Sequence, residues 1–128
     1  MYHRKRQIYF IAITGILLLL AFTVSAQDDA PLTVKLGPPV EYESGDGKRF
    51  IARYGSLSDD SLHFIKVTMP DARVYTLPQV VSGSGVRYTD EMEILWWTHQ
   101  GKVRVDVRDA SGKWVTKYQE LKEVQQKN

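Results

Sequence analysis

Hydroxyl, imidazole and ammonium groups meet in two short stretches of this chain. The first is Ser82-Gly83-Ser84-Gly85, followed by Arg87-Tyr88; the second is Trp96-Trp97-Thr98-His99-Gln100-Gly101-Lys102. A serine hydroxyl both donates and accepts hydrogen bonds. A lysine beside it supplies positive charge, and a histidine is neutral or charged according to its surroundings. Two such loops, tied to neighbouring strands of one small β-domain, suit a rigid probe pushed into another molecule's cleft better than a pocket. They do not make a catalytic residue set: no nucleophile–base pair, phosphate-cradling loop or metal cluster is readable. His63 and His99 lack ligand spacing. Asp59-Asp60 reads as a solvated loop, since Ca²⁺ wants several spaced oxygens. Asp90, Glu91 and Glu93 read as a turn rich in carboxylates. Neither enzyme activity nor a metal or other cofactor is expected. The Gly/Ser run also has a plain reading as a flexible turn, because both residues favour loops for steric reasons.

The elements that must position these groups are strands. Lys102 to Arg108 alternates charge and valine with a period of two, the signature of a half-buried strand. Further extended runs are expected at 32–36, 40–43, 49–54, 61–69, 73–81, 86–89, 92–98 and 113–118. Turn signals separate them: Gly37-Pro38-Pro39, Ser44-Gly45-Asp46-Gly47, the loop 55–60, Pro70-Asp71, Gln100-Gly101 and Ser111-Gly112. About eight short strands at a spacing of roughly 8–12 residues predict an all-β sandwich or small antiparallel barrel. The expected interior holds Phe50 or Ile51, Phe64, Val67, Leu77, Val80, Ile94, Trp96, Val103, Val105, Val107 and Val115. Neighbouring tryptophans on a strand face opposite ways, so one of Trp96 and Trp97 is core. The other, taken as Trp97, is either a candidate exposed anchor or a cover for a loop. The bulk of Ile94-Leu95-Trp96-Trp97 argues for a filled barrel rather than a hollow, ligand-carrying one.

The N-terminus carries an address. Arg4, Lys5 and Arg6 precede an apolar run from Ile8 to Val24, and Val24-Ser25-Ala26 has the small residues of a cleavage site. Residues 1–26 are therefore expected to be a signal peptide, or an uncleaved anchor that would also export the rest. Such an anchor is the one route to membrane association that this reading provides. Residues 27–31 read as a disordered linker, 32–118 as the barrel domain and 119–128 as a polar tail. The chain has no cysteine, so neither a disulfide nor a lipidated cysteine is available. Three of its seventeen basic side chains lie before residue 27 and no acidic one does, leaving fourteen basic against fifteen acidic in the remainder. With no basic stripe, nucleic acid is set aside as a partner.

The order of motifs resembles the membrane-bound or periplasmic inhibitors of c-type lysozyme of Gram-negative bacteria. The resemblance runs from about Val40 to Val107 through Tyr42-Glu43-Ser44-Gly45-Asp46-Gly47-Lys48 with Phe50-Ile51-Ala52-Arg53-Tyr54, through Leu77-Pro78-Gln79-Val80 into Ser82-Gly83-Ser84-Gly85-Val86-Arg87-Tyr88, and through Trp96-Trp97-Thr98-His99-Gln100-Gly101. It implies an eight-stranded antiparallel barrel whose Ser-Gly loop and neighbouring lysine turn enter the lysozyme cleft and engage its two catalytic carboxyl groups. By residue match the serine is Ser84. The lysine position falls at His99, or at Gln100 with a one-residue insertion, and the usual half-cystine position is Ser44. The implied partner is a c-type lysozyme, contacted by Ser84, Gly85, His99, Gln100 and Lys102, with Arg87 and Tyr88 bracing the loop. The alternative is an accessory envelope module on the same barrel without inhibitory chemistry.

Overall fold

Alternating residues form strands, and the glycine-bearing turns decide where the chain reverses. The computed structural model describes residues 30–125. Its strands are β1 (Val34–Leu36), β2 (Val40–Ser44), β3 (Arg49–Leu57), β4 (His63–Thr68), β5 (Val74–Val80), β6 (Val86–Thr89), β7 (Ile94–His99), β8 (Lys102–Arg108) and β9 (Trp114–Glu123). No helix occurs among the described residues. The expected signal peptide and most of the expected linker lie outside them.

From β2 onward each strand pairs antiparallel with the next, and β9 returns to β2 through Tyr42↔Glu123 and Ser44↔Leu121. That return closes an eight-strand barrel. β1 is not another stave. It and β2 share one edge of β3, with Leu36 opposite Gly55 and Val40 opposite Ala52. Pro38 and Pro39 interrupt that edge because proline has no N–H to give a ladder. Pro78 is accommodated in β5 because β6 pairs there only with Gln79 and Val80.

Trp96 is fully buried at the centre, with the Tyr42 and Phe50 rings meeting it edge-on at 5.4 and 6.2 Å. Ile65, Val67, Leu77, Ile94, Val103, Val105 and Leu121 complete the packing. Edge-to-face contacts favour such aromatic clusters. They fill the space that a hollow carrier would keep open.

Of the two residues offered for one interior place, Phe50 faces inward and Ile51 is 41% exposed. Other interior expectations are corrected. Residues three apart cannot share a strand face; in β4 the inward pair is Ile65 and Val67, while Phe64 is only partly buried. The Phe64 ring covers Gly55 directly across the ladder, where an added Cβ would come within 2.6 Å of it. Val80 and Val107 are half-buried, and Val115 is 42% exposed. Val115 lies at the start of β9, where β2, which meets only Leu121–Glu123, offers no cover.

Two boundaries also move. Gly55 to Leu57, expected in a loop, continues β3 because β1 and β4 pair with its two edges. The expected tail from 119 is in part strand: β9 runs to Glu123 and Leu121 is fully buried. Register shifts between Val103, Val105 and Asp106 let β9 bend from β8 towards β2.

Candidate functional site

The loop between β5 and β6 is built on one backbone oxygen. The Ser84 carbonyl accepts a hydrogen bond from Trp97 Nε1 at 2.9 Å and another from Ser82 Oγ at 2.6 Å. Ser84 itself is exposed, and its hydroxyl has no hydrogen-bond partner among the described residues. Gly85 then turns the chain with a φ of +63°, and a Cβ there would sit 2.2 Å from the Thr98 carbonyl oxygen and 3.1 Å from His99 Cβ. Only glycine fits this approach, which presses the loop against the end of β7. Thr98 Oγ1 adds a hydrogen bond to the Val86 carbonyl at 3.3 Å.

β7 and β8 are joined by a two-residue turn between the paired residues His99 and Lys102. Gln100 and Gly101 have φ of 50° and 74°. Positive φ at both positions is the geometry that matches the twist of a hairpin. The loop and this turn therefore lie side by side at one end of the barrel, bringing Ser84, Gly85, His99 and Gln100 together.

The charges are arranged less simply. The His99 ring stacks on Trp97 with centroids 5.4 Å apart and planes 13° from parallel. Lys102 shares the turn but directs Nζ to Glu120 Oε2 at 3.0 Å. This ammonium, with Lys122 beyond it, holds the Glu120 carboxyl below its ordinary range; the hydrogen bond from Lys102 is the largest cause. The Arg104 guanidinium carbon lies 4.4 Å from the Trp97 ring centroid, within cation–π range.

The bracing differs from expectation. Tyr88 is buried inside the barrel, with its ring centroid 5.9 Å from that of Tyr54. Burial pushes its phenol pKa up. The loop's hydrogen-bonded brace is Trp97, which sequence reading had placed as an anchor or a cover. Arg87 stands opposite Trp97 on β6 and makes no hydrogen bond to the loop among the described residues. The resemblance drew attention to the turn, whereas Arg104 was missed: in an alternating strand it looked like any solvated charge. Its register opposite Trp97 was the signal that could have found it.

The carboxylate cluster is structural. Asp90 Oδ1 accepts the backbone N–H groups of Met92 at 2.9 Å, Glu93 at 2.8 Å and Ile94 at 3.2 Å. Burial pushes the Asp90 pKa up, and those three donors together outweigh it and hold the carboxyl low. Glu91 sits at a φ of 59° in the turn, and Glu93 accepts the Tyr75 hydroxyl. At the half-cystine position, Ser44 Oγ bonds the Asp46 carboxylate and accepts the Lys48 N–H at 3.0 Å. A hydrogen-bonded hairpin end stands there instead of a cross-link. No group of three or more His, Asp or Glu side chains is placed to hold a metal ion among the described residues.

Comparison with known proteins adds two findings. The family model described as membrane-bound lysozyme-inhibitor of c-type lysozyme matches residues 42–114. The crystal structure of Pseudomonas aeruginosa MliC in complex with hen egg white lysozyme is similar in fold, with a TM-score of 0.52 and 21% identity over 75% of this chain and 87% of that one. A search of curated protein sequences finds no match.

Proposed function

Because this chain belongs to the family of membrane-bound lysozyme-inhibitors of c-type lysozyme, we propose that it is an exported envelope protein that inhibits a c-type lysozyme by inserting the Ser84 loop into the enzyme's cleft. It acts by binding and not as an enzyme. The observation that carries this reading is the state of Ser84: its carbonyl is pinned by Trp97 and Ser82, while its hydroxyl stands exposed and uncommitted. A pinned backbone loses little freedom on docking, which favours affinity.

The chemistry follows from what a retaining lysozyme needs, namely a protonated glutamic acid and an ionised carboxylate on either side of the scissile bond. Those carboxyl groups lie about 5–5.5 Å apart. Hydroxyl hydrogen bonds span about 2.5–3.0 Å, so one oxygen midway between them reaches both. The protonated acid donates to the Ser84 hydroxyl oxygen, and the Ser84 O–H donates to the carboxylate. The sugar is then excluded and the acid's proton is occupied.

Ser84→Ala removes the donor and the acceptor while leaving the backbone carbonyl bonded. The expected result is weaker inhibition of hen egg white lysozyme on cell walls by about tenfold or more, the loss of hydrogen bonds to charged groups, with an unchanged melting temperature. Undiminished inhibition by the variant would remove Ser84 from the mechanism.

A further inference from the structure

The residues bordering the loop on its strand side form a row across three strands. Arg87 on β6, Trp97 on β7 and Arg104 on β8 are in direct cross-strand register. Neighbouring strands are about 4.8 Å apart, so the two arginines spring from the sheet roughly 10 Å apart with the indole between them. Together with Ser82, Gly83 and Ser84 they line an open depression of about 440 Å³.

The donors in this depression are incompletely used. Arg104 directs Nη2 to Asp106 Oδ2 at 3.0 Å and buries its Nε, which leaves Nη1 to an incoming acceptor. Arg87 has no hydrogen-bond or ion-pair partner among the described residues. Asp106 answers one positive charge, and Arg87 leaves the depression net positive. The planar fork of a guanidinium matches the two oxygens of a carboxylate. The basic side chains of the turn are otherwise engaged, Lys102 on Glu120 and His99 flat on Trp97.

We propose that Arg87 and Arg104, held apart by Trp97, form a carboxylate-reading site for an aspartate or glutamate side chain on the surface of the enzyme whose cleft the loop enters. The proposal rests on the inhibitor reading and adds to it a second contact beside the plug, one that supplies the cationic partner the turn does not free.

Arg87→Gln, Arg104→Gln and Arg104→Lys are to be compared with the unaltered protein against hen egg white lysozyme over a range of salt concentrations. In parallel, acetate is titrated into the isotope-labelled free protein against chloride at equal ionic strength, with the arginine Nε–H resonances as the readout. Each glutamine variant is expected to raise the inhibition constant by about ten- to a hundredfold, the range for hydrogen bonds to charged groups, and to flatten its salt dependence. Arg104→Lys should not restore inhibition, since it keeps the charge and loses the fork. Acetate should shift the Arg87 Nε–H. Arg87→Gln covers the case in which Arg104 variants unfold by stranding Asp106. An unaltered protein that inhibits, beside glutamine variants equal to it in constant and salt slope, overturns the carboxylate site and leaves the inhibitor reading standing. An acetate shift without any inhibition overturns the inhibitor reading, and with it the enzyme as the source of the carboxylate. An Arg87 resonance indifferent to acetate overturns the site.

Discussion

Gln100 occupies the first central position of a hairpin turn where its backbone must hold a φ of 50°. The turn ends in the glycine that such geometry favours, and the long polar side chain of Gln100 projects into solvent. This is one of the two positions to which the resemblance assigns a lysine. An ammonium at Gln100 would lack the constraint that holds Lys102 on Glu120. Gln100→Lys is therefore expected to strengthen lysozyme inhibition about tenfold at low salt, the scale of a charge-assisted hydrogen bond. The gain should shrink as salt screens it. Inhibition constants at two ionic strengths check this, and an unchanged constant at both would count against a cleft-facing turn. At this scale the sequence exposed identities well and partners poorly. Ser84 and Gly85 stood out by type. That Trp97 would brace the Ser84 carbonyl, and that Lys102 would be drawn to Glu120, depend on side-chain directions across strands far apart in the chain.

Strands and turns were more legible, because period and punctuation are local properties. β8 runs over Lys102–Arg108 as its alternation predicts, and β6 over Val86–Thr89 likewise. β9 was cut short in the reading, since Leu121 is one apolar residue in a polar run and its burial comes from β2, far earlier in the chain. The hairpin turns show a finer rule. In 44–48, 69–73 and 109–113 the first residue's N–H bonds the last residue's carbonyl, and the fourth residue's N–H bonds the first residue's carbonyl. The fourth position is left-handed in all three: Gly47 at +80°, Gly112 at +81° and Ala72 at +68°. Of the Asp46-Gly47 pair only Gly47 has a positive φ. Alanine in that region costs roughly 1–2 kcal/mol, partly offset in a glycine variant by the greater entropy of its unfolded chain. Ala72→Gly should therefore stabilise the domain by about 0.5 kcal/mol. Denaturant unfolding at constant slope measures this; destabilisation by that substitution would mean that the alanine methyl is doing more than the backbone angle suggests.

At the scale of the molecule, closure of β9 onto β2 makes the barrel, and the filled interior around Trp96 makes it stiff. Cores packed to crystal-like density transmit little slack. That stiffness is what lets one end of the barrel present Ser84 at a fixed place without a disulfide. The near-balanced charge outside the N-terminal segment argues against long-range attraction as the source of affinity and for local fit. The central claim is that this end of the barrel occupies the space of the substrate between the two carboxyl groups of a lysozyme. Steady-state kinetics of hen egg white lysozyme on a soluble wall oligosaccharide, at rising concentrations of this protein, tests it most directly. The account predicts competitive inhibition, with KM rising and kcat unchanged. A fall in kcat at constant KM, or no effect at all, would contradict it.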